Sequence, residues 1–141
     1  MRPAKRRRVV MIGVVLFVAT ASLLAAYALA GSAPATSRQS APIWLSTADT
    51  TQGGRTLSVY GGIDVRSDLS GAVVKLYKRE VGRNVDTYVG KATVTYNLTT
   101  GNVFQGKIPR LRRSAIVTAK WAGNARYFAA RTWMFAGVTP R

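Results

Sequence analysis

Two patterns of apolar residues divide the chain. The first is an apolar run from Val9 to Ala30, 22 residues without a charge, which follows a basic cluster at residues 1–8. The second begins at Ile43 and consists of short runs rich in Val, Thr, Tyr, Ile and Trp, which recur about every ten residues between clusters of Gly, Asn, Asp and Ser. The first run is long enough for a membrane-crossing helix, which needs about 20 residues. The second pattern is typical of the strands of an all-β sandwich.

The N-terminal run fits two kinds of targeting segment. The basic cluster stays on the cytoplasmic side, so we expect everything after Ala30 to be exported. Ala28 and Ala30, directly before Gly31, form the small-residue pattern that a signal peptidase accepts, which favours cleavage after Ala30. The apolar run is longer than a usual signal-peptide core, so an uncleaved membrane anchor at residues 9–30 is the alternative. Both interpretations predict an extracellular or cell-surface location.

The exported part divides into a linker, a domain and a short tail. Residues 31–42 are rich in Ser, Ala, Thr and Pro and lack an apolar period, as expected of a linker, and residues 139–141 are a tail. We expect Pro109 to end strand pairing because it has no N–H to donate. Seven strands are predicted in the domain, at 43–47, 56–63, 72–80, 88–96, 103–108, 115–121 and 132–138.

The alternation of apolar residues predicts which side chains face the core. Val117, Ala119 and Trp121 share one face of the sixth predicted strand and form a core row. Trp133 is also expected in the core, since it lies on an apolar strand; the alternative is a carbohydrate site lined by Trp121 and Trp133. Trp44 lies next to the linker, and of the three tryptophans it is the one that we expect to be the most exposed.

Four stretches carry a resemblance to a known class of module: 54–63, 71–79, 100–104 and 117–131, the last of which includes Trp-Ala-Gly-Asn-Ala-Arg-Tyr-Phe. They resemble the bacterial immunoglobulin-like modules that are common in exported actinobacterial proteins. The resemblance covers residues 43–138 and implies a seven-stranded immunoglobulin-like β-sandwich, preceded here by the hydrophobic signal or anchor helix and the linker. It also implies a role as a spacer or as an adhesive or carbohydrate-facing unit, which is an analogy from fold to function.

Composition argues against catalysis. The sequence contains no histidine and no cysteine, and its five carboxylates are scattered. It therefore lacks the side chain most often used for proton transfer near neutral pH, and it lacks thiolate ligands for a metal. We expect a protein that is not an enzyme, without a cofactor or metal, whose fold is stabilised by packing without disulfides.

The charge predicts anionic partners. Lys and Arg number 21 against 5 acidic residues, a net charge of +16, and five of the bases precede residue 31, which leaves +11 for the rest. A field of this sign favours an anionic cell-wall polymer, an anionic lipid surface or a protein partner. Nucleic acid is not expected as the native partner of an exported domain.

Basic residues near the fifth and sixth predicted strands form the candidate binding site. Arg110, Arg112 and Arg113 crowd into one loop, with Lys107 and Lys120 on either side. Each guanidinium offers a planar fork that suits phosphate or carboxylate, so the five residues are predicted to form an anion-binding patch. The alternative is a solvated loop without a ligand.

Tyrosines offer a second candidate. Three tyrosines would suit a stacking platform for bases or sugar rings together with the basic residues between them: Tyr60, Tyr77 and Tyr88 with Lys75, Lys78 and Arg79. Cross-strand packing is the favoured interpretation, since aromatic residues are common in strands.

The hypothesis from sequence is an exported, non-enzymatic immunoglobulin-like domain of the cell envelope that binds anionic envelope polymers or a surface protein through its basic surface. The alternative is a structural or self-assembling surface subunit that pairs edge strands with its own copies or with another protein.

Overall fold

The computed structural model of the chain describes residues 37–47 and 51–140, and this part is all-β. None of these residues lies in a helix that is long and apolar enough to cross a membrane. The predicted leader, with Ala28, Ala30 and Gly31, lies outside the described residues. The strands are β1 (Ile43–Thr47), β2 (Thr51–Gln52), β3 (Arg55–Ile63), β4 (Val73–Glu80), β5 (Thr87–Thr93), β6 (Thr95–Asn97), β7 (Gly101–Leu111), β8 (Ala115–Trp121), β9 (Ala130–Ala136) and β10 (Val138–Thr139).

Two four-stranded sheets form a sandwich. The first sheet has the strand order β1-β3-β7-β6, and the second has the order β5-β4-β8-β9. All neighbouring strands within these sheets are antiparallel. A short parallel pair, β2 with β10, is separate from both sheets. Inward side chains of the two sheets belong to one apolar core, as in other β-sandwiches.

The core is built from alternate residues, as the sequence predicts. On β8, Ala115, Val117 and Ala119 are fully buried and Trp121 is 4% exposed, which confirms the predicted core row. Inward residues of β3 and β7, in the first sheet, form the opposite side of the core. These are Leu57, Val59, Ile63, Phe104, Ile108 and Leu111.

Glycines let the chain pack closely at two inward positions. A Cβ atom at Gly61 would overlap the Phe104 ring and the carbonyl oxygen of Trp44, and one at Gly106 would overlap a methyl group of Leu76 on the opposite sheet. Absence of a side chain at these points therefore makes room for large neighbours in a core that has no disulfide.

The number of strands differs from the predicted seven. The predicted strand 88–96 is two strands, because the chain leaves the second sheet after β5 and joins the first sheet as β6. Val94 lies at the crossing and is buried. Its N–H donates to the carbonyl of Ala72 at 2.8 Å, and its carbonyl accepts from the N–H of Gly71 at 2.9 Å. The crossing thus leaves no backbone group of Val94 unpaired.

Pro109 does not end strand pairing, contrary to the prediction. β7 continues to Leu111, which pairs with Arg55, while Ile108 pairs with Leu57. Pro109 and Arg110 therefore lie in a bulge, where a proline N–H is not needed. Arg110 has a φ of 51°, which bends the strand there. The short pair of β2 and β10 was also not predicted.

The sandwich begins before Ile43. The N–H of Gln39 donates to the carbonyl of Arg126 at 2.8 Å, and the carbonyl of Gln39 accepts from Phe128 at 3.0 Å. Ala41 is 4% exposed and belongs to the core. Residues 37–42, at the end of the predicted linker, thus contact the loop between β8 and β9.

One buried side chain holds the loop between β3 and β4. Asn102 is 3% exposed. Its Oδ1 accepts from the N–H of Leu69 at 2.7 Å, and its Nδ2 donates to the carbonyls of Val65 at 3.0 Å and Ser67 at 2.8 Å. The amide therefore satisfies three backbone groups of a segment that has no strand partner.

We expect Asn102→Ala to lower the free energy of unfolding by about 3 kcal/mol, because it leaves buried backbone groups without partners. Asn97→Ala is the matched control. Asn97 is exposed and accepts only local bonds, from Thr99 at 2.7 Å and Thr100 at 3.1 Å, so its loss should cost about 1 kcal/mol or less. Urea denaturation of the purified protein measures both. Equal destabilisation by the two variants would contradict the role given to Asn102.

Candidate functional site

The outward face of the second sheet is the strongest candidate site. Inward residues of β4 and β8 pack in the core, so the residues between them point to solvent. Lys75 lies between buried Val74 and Leu76, and Lys120 lies between Ala119 and Trp121. Packing in the core therefore does not determine which residue types occupy this face.

Four basic residues form one continuous row across this face. Lys91 pairs with Lys75, Lys75 pairs with Lys120, and Lys120 pairs with Arg131. Neighbouring strands lie about 4.8 Å apart, so the backbone positions of the row span about 14 Å. Like charges directly opposite each other are destabilising. The row thus opposes folding and calls for a functional explanation.

A row of mainly aromatic residues lies beside the cations. Tyr88 pairs with Tyr77, Tyr77 with Thr118, and Thr118 with Trp133. This row is two residues away along β4, β8 and β9, about 6.7 Å, and three residues away along β5, where the register shifts. The Tyr77 and Tyr88 rings meet edge to face, with centroids 5.6 Å apart, and Trp133 is 68% exposed. We call the two rows together the basic-aromatic face.

One carboxylate reaches over this face. Asp86 lies 3.8 Å from Nε of Arg79 and 3.8 Å from Nζ of Lys120. The three side chains are partly exposed, so each ion pair contributes between zero and about 1 kcal/mol. Nζ of Lys120 also lies 4.4 Å from the centre of the Tyr77 ring, a cation–π contact. These contacts hold Lys120 over the face while leaving most of the row's charge uncompensated.

A groove of about 510 Å³ runs along the face between the cations and Trp133. Its floor consists of β8 side chains. Its walls contain positive and negative side chains and the indole of Trp133. The lining residues are Arg79, Asp86, Ile116, Thr118, Lys120, Arg131, Thr132 and Trp133.

The structure places the five predicted anion-binding residues in three locations. Lys107 is exposed on the outward face of the first sheet, since its neighbour Ile108 is buried. Lys120 lies on the outward face of the second sheet, on the other side of the sandwich. Arg110, Arg112 and Arg113 stay together, at the turn between β7 and β8.

The arginine turn borders two shallow depressions. Arg110 and Arg112 line one of about 350 Å³ with Lys78, and Arg112 and Arg113 line another of about 450 Å³ with Gly53. Nζ of Lys78 donates to the carbonyls of Pro109 and Arg110, each at 3.3 Å. Lys78 thus stabilises the bulge of β7, and the arginines project beyond it.

The predicted tyrosine platform is divided between the two sheets. Tyr77 and Tyr88 are cross-strand neighbours, as the favoured interpretation predicted. Tyr60 lies on the first sheet, where its ring contacts Trp44 edge to face with centroids 6.0 Å apart. Trp44 is 43% exposed, but it is not the most exposed of the three tryptophans, contrary to the prediction, because Trp133 is 68% exposed.

Trp133 is not a core residue, contrary to the prediction. On β9 the inward positions are Thr132, Met134 and Ala136, and the larger aromatic residues Trp133 and Phe135 point outward. Both faces of this strand are rich in apolar residues, so the alternation is ambiguous in the sequence. The prediction assigned the face with the larger side chains to the core, and this assignment was wrong.

Sequence reasoning named Lys75 beside the tyrosine platform but missed Lys91 and Arg131 as members of a site. Their outward orientation follows from the alternation of their strands. Their alignment depends on which strands pair and in what register, which the sequence pattern does not specify.

No group of three or more potential metal ligands occurs among the residues that the structure describes. Comparison of the sequence with models of known protein families gives no match, and comparison with curated proteins gives none either.

Trp133→Ala should change the free energy of unfolding by less than about 0.5 kcal/mol, because the indole is mainly solvent-exposed. Trp121→Ala should lower the same quantity by about 3–5 kcal/mol, because it opens a cavity in the core. Urea denaturation of the two variants compares them directly. A similar loss of stability in both would contradict the outward orientation of Trp133.

Proposed function

We propose that the chain is an exported, non-enzymatic binding domain with an immunoglobulin-like sandwich, and that its basic-aromatic face binds an anionic polymer of the cell envelope. The strand order supports the immunoglobulin-like assignment. When the strands are lettered A, B, C, C′, D, E, F and G for β1, β3, β4, β5, β6, β7, β8 and β9, the sheets have the orders A-B-E-D and C′-C-F-G. This order corresponds to that of immunoglobulin-like domains.

The observation that carries the proposed binding is the row formed by Lys91, Lys75, Lys120 and Arg131. Three ion pairs form within the described part of the chain, and among the row's members they involve only Lys120. A polyanion laid over the row would relieve the mutual repulsion of these cations and release their counterions. The cost that the row imposes on folding would thus be offset in the complex.

The shape of the row favours a linear ligand. Four cations in a line on an exposed sheet match repeated charges on a chain better than they match one small anion, which would contact one or two of them. Exposed aromatic side chains beside the row supply apolar contact area to the same ligand. An anionic polymer of the envelope combines both properties and is present where the leader is predicted to deliver the domain.

Salt-dependent retention on isolated bacterial cell wall tests the proposal. We expect retention of the purified protein to fall at least about tenfold between 0.05 and 0.5 M NaCl, as the Debye length shortens from about 14 to about 4 Å. At low salt, retention should also fall about tenfold in a variant with four changes to Gln, at Lys75, Lys91, Lys120 and Arg131.

The matched control removes the same number of charges elsewhere, by changing Lys107, Arg110, Arg112 and Arg113 to Gln. We expect this variant to retain most of its binding, with a loss below about threefold. Vesicles of phosphatidylglycerol and of phosphatidylcholine, measured in parallel, report on a lipid surface as the ligand. Retention that does not change with salt concentration, or an equal loss of retention in the two variants, would refute binding through this face.

Edge-strand assembly is the second candidate function. β9 is a seven-residue edge strand of the second sheet and carries the exposed aromatic residues Trp133 and Phe135. Such an edge can pair with another strand. Sedimentation of the purified protein at high concentration distinguishes this candidate: a dimer or larger assembly that Trp133→Ala and Phe135→Ala disrupt supports it, and a strict monomer contradicts it.

A further inference from the structure

We propose that the polymer bound by the basic-aromatic face is an acidic polysaccharide, and that one carboxylated sugar ring occupies the groove beside Trp133. This inference rests on the proposed function and names the chemical class of its ligand. Three kinds of group line the groove, and an acidic sugar is the anionic unit that uses all three: a flat apolar surface, cations and acceptors for hydroxyl groups.

The apolar surface is the indole of Trp133. It is 68% exposed and forms one wall of the groove. The C–H groups on one side of a pyranose ring form a weakly polar surface, which packs against an aromatic ring and removes apolar area from water. The opposite wall and floor contain polar groups, so the ring's hydroxyl groups would face these while its C–H groups face the indole.

Three cations line the groove, Arg79, Lys120 and Arg131, and the last two are directly paired across β8 and β9. A carboxylate is planar, and the guanidinium of Arg131 matches it with two parallel hydrogen bonds. Lys120 is held over the face by Asp86 and Tyr77 and supplies a second charge. The outer members of the row, Lys75 and Lys91, would contact the next acidic units along the polymer.

The acceptor is Asp86. Its carboxylate lines the groove and lies 3.8 Å from Nζ of Lys120. A carboxylate repels phosphate or sulfate oxygens, which carry no proton to donate, but it accepts hydrogen bonds from sugar hydroxyls. The hydroxyl of Thr118 on the floor can donate or accept. Asp86 therefore favours a ligand that has free hydroxyl groups beside its anionic groups over a polyphosphate.

The tyrosines argue against single-stranded nucleic acid as the ligand. Successive bases stack on aromatic side chains that offer their flat faces along a groove. Tyr77 and Tyr88 meet at an interplanar angle of 66°, so one ring covers the other with its edge, and the pair does not form a continuous platform of parallel rings.

Calorimetric titration of the purified protein with three polyanions tests the inference. Oligogalacturonate has carboxylated sugar rings, polyglutamate has carboxylates without rings, and inorganic polyphosphate has neither rings nor hydroxyls along its length. We expect Trp133→Ala to weaken the binding of oligogalacturonate at least about tenfold, the scale of one stacking contact, and to change the other two affinities less than about twofold.

Two further variants make the test specific. Trp44→Ala removes an exposed indole from the first sheet, and we expect it to leave all three affinities unchanged. Asp86→Ala should weaken the binding of oligogalacturonate, since a hydroxyl acceptor is lost, and strengthen that of polyphosphate, since a repelling charge is lost. This opposite response is the clearest sign of a groove built for an acidic sugar.

The outcomes separate this inference from the function on which it rests. If the protein binds all three polyanions with salt dependence and Trp133→Ala weakens none of them, the ring contact is refuted and the charge-based function stands. If it binds none of them, both are refuted. A parallel titration with poly(U) tests nucleic acid as the ligand. If poly(U) binds more tightly than oligogalacturonate, and Trp133→Ala abolishes that binding, the ligand is single-stranded nucleic acid and the polysaccharide is refuted.

Discussion

Apolar contact between the two sheets holds the domain together, because the sequence has no cysteine with which to link them. This contact also fixes the register of every strand. If β8 slipped by one residue against its neighbours, Ala119 and Trp121 would turn to solvent and Lys120 would turn into the core. The outward residues therefore have defined partners across the sheet, even though they contribute little to its stability. Alignment of the cations is a consequence of packing on the other side of the same strands.

The two sides of the second sheet serve different purposes. Inward residues such as Val74 and Ala119 are fully buried, or nearly so, and specify the fold. Outward residues such as Lys75 and Lys120 are set against each other at the distance of neighbouring strands, where their repulsion lowers stability. A rigid sheet keeps these charges close, whereas a flexible loop of lysines and arginines would let them spread apart. The backbone positions of the row are therefore ordered in advance, so that only the ends of the side chains would need ordering on binding of the proposed ligand.

The sequence was informative where local alternation decides the structure. β1 was predicted with its observed bounds, and the core row of β8 was correct, because one face of that strand is consistently apolar. The crossing at Val94 was not predictable, since the alternation around it continues as though for one strand. The cation row joins Lys75, Lys91, Lys120 and Arg131 from four strands, and only the pairing of those strands brings them together. Trp133 was misplaced because both faces of β9 carry large apolar residues, Met134 on one and Trp133 and Phe135 on the other.

The parallel pair of β2 and β10 has a mechanical consequence. β2 lies near the N-terminal end of the described part of the chain and β10 at its C-terminal end, and their backbones point in the same direction. A force that pulls these two ends apart acts along the strands, so it loads their hydrogen bonds together in shear. The N–H of Gly53, which donates to the carbonyl of Thr139 at 3.2 Å, would carry part of that load. On the N-terminal side, the hydrogen bonds of Gln39 and the pairing of β1 with β3 would be loaded before this pair, whereas on the C-terminal side β10 is the strand next to the end.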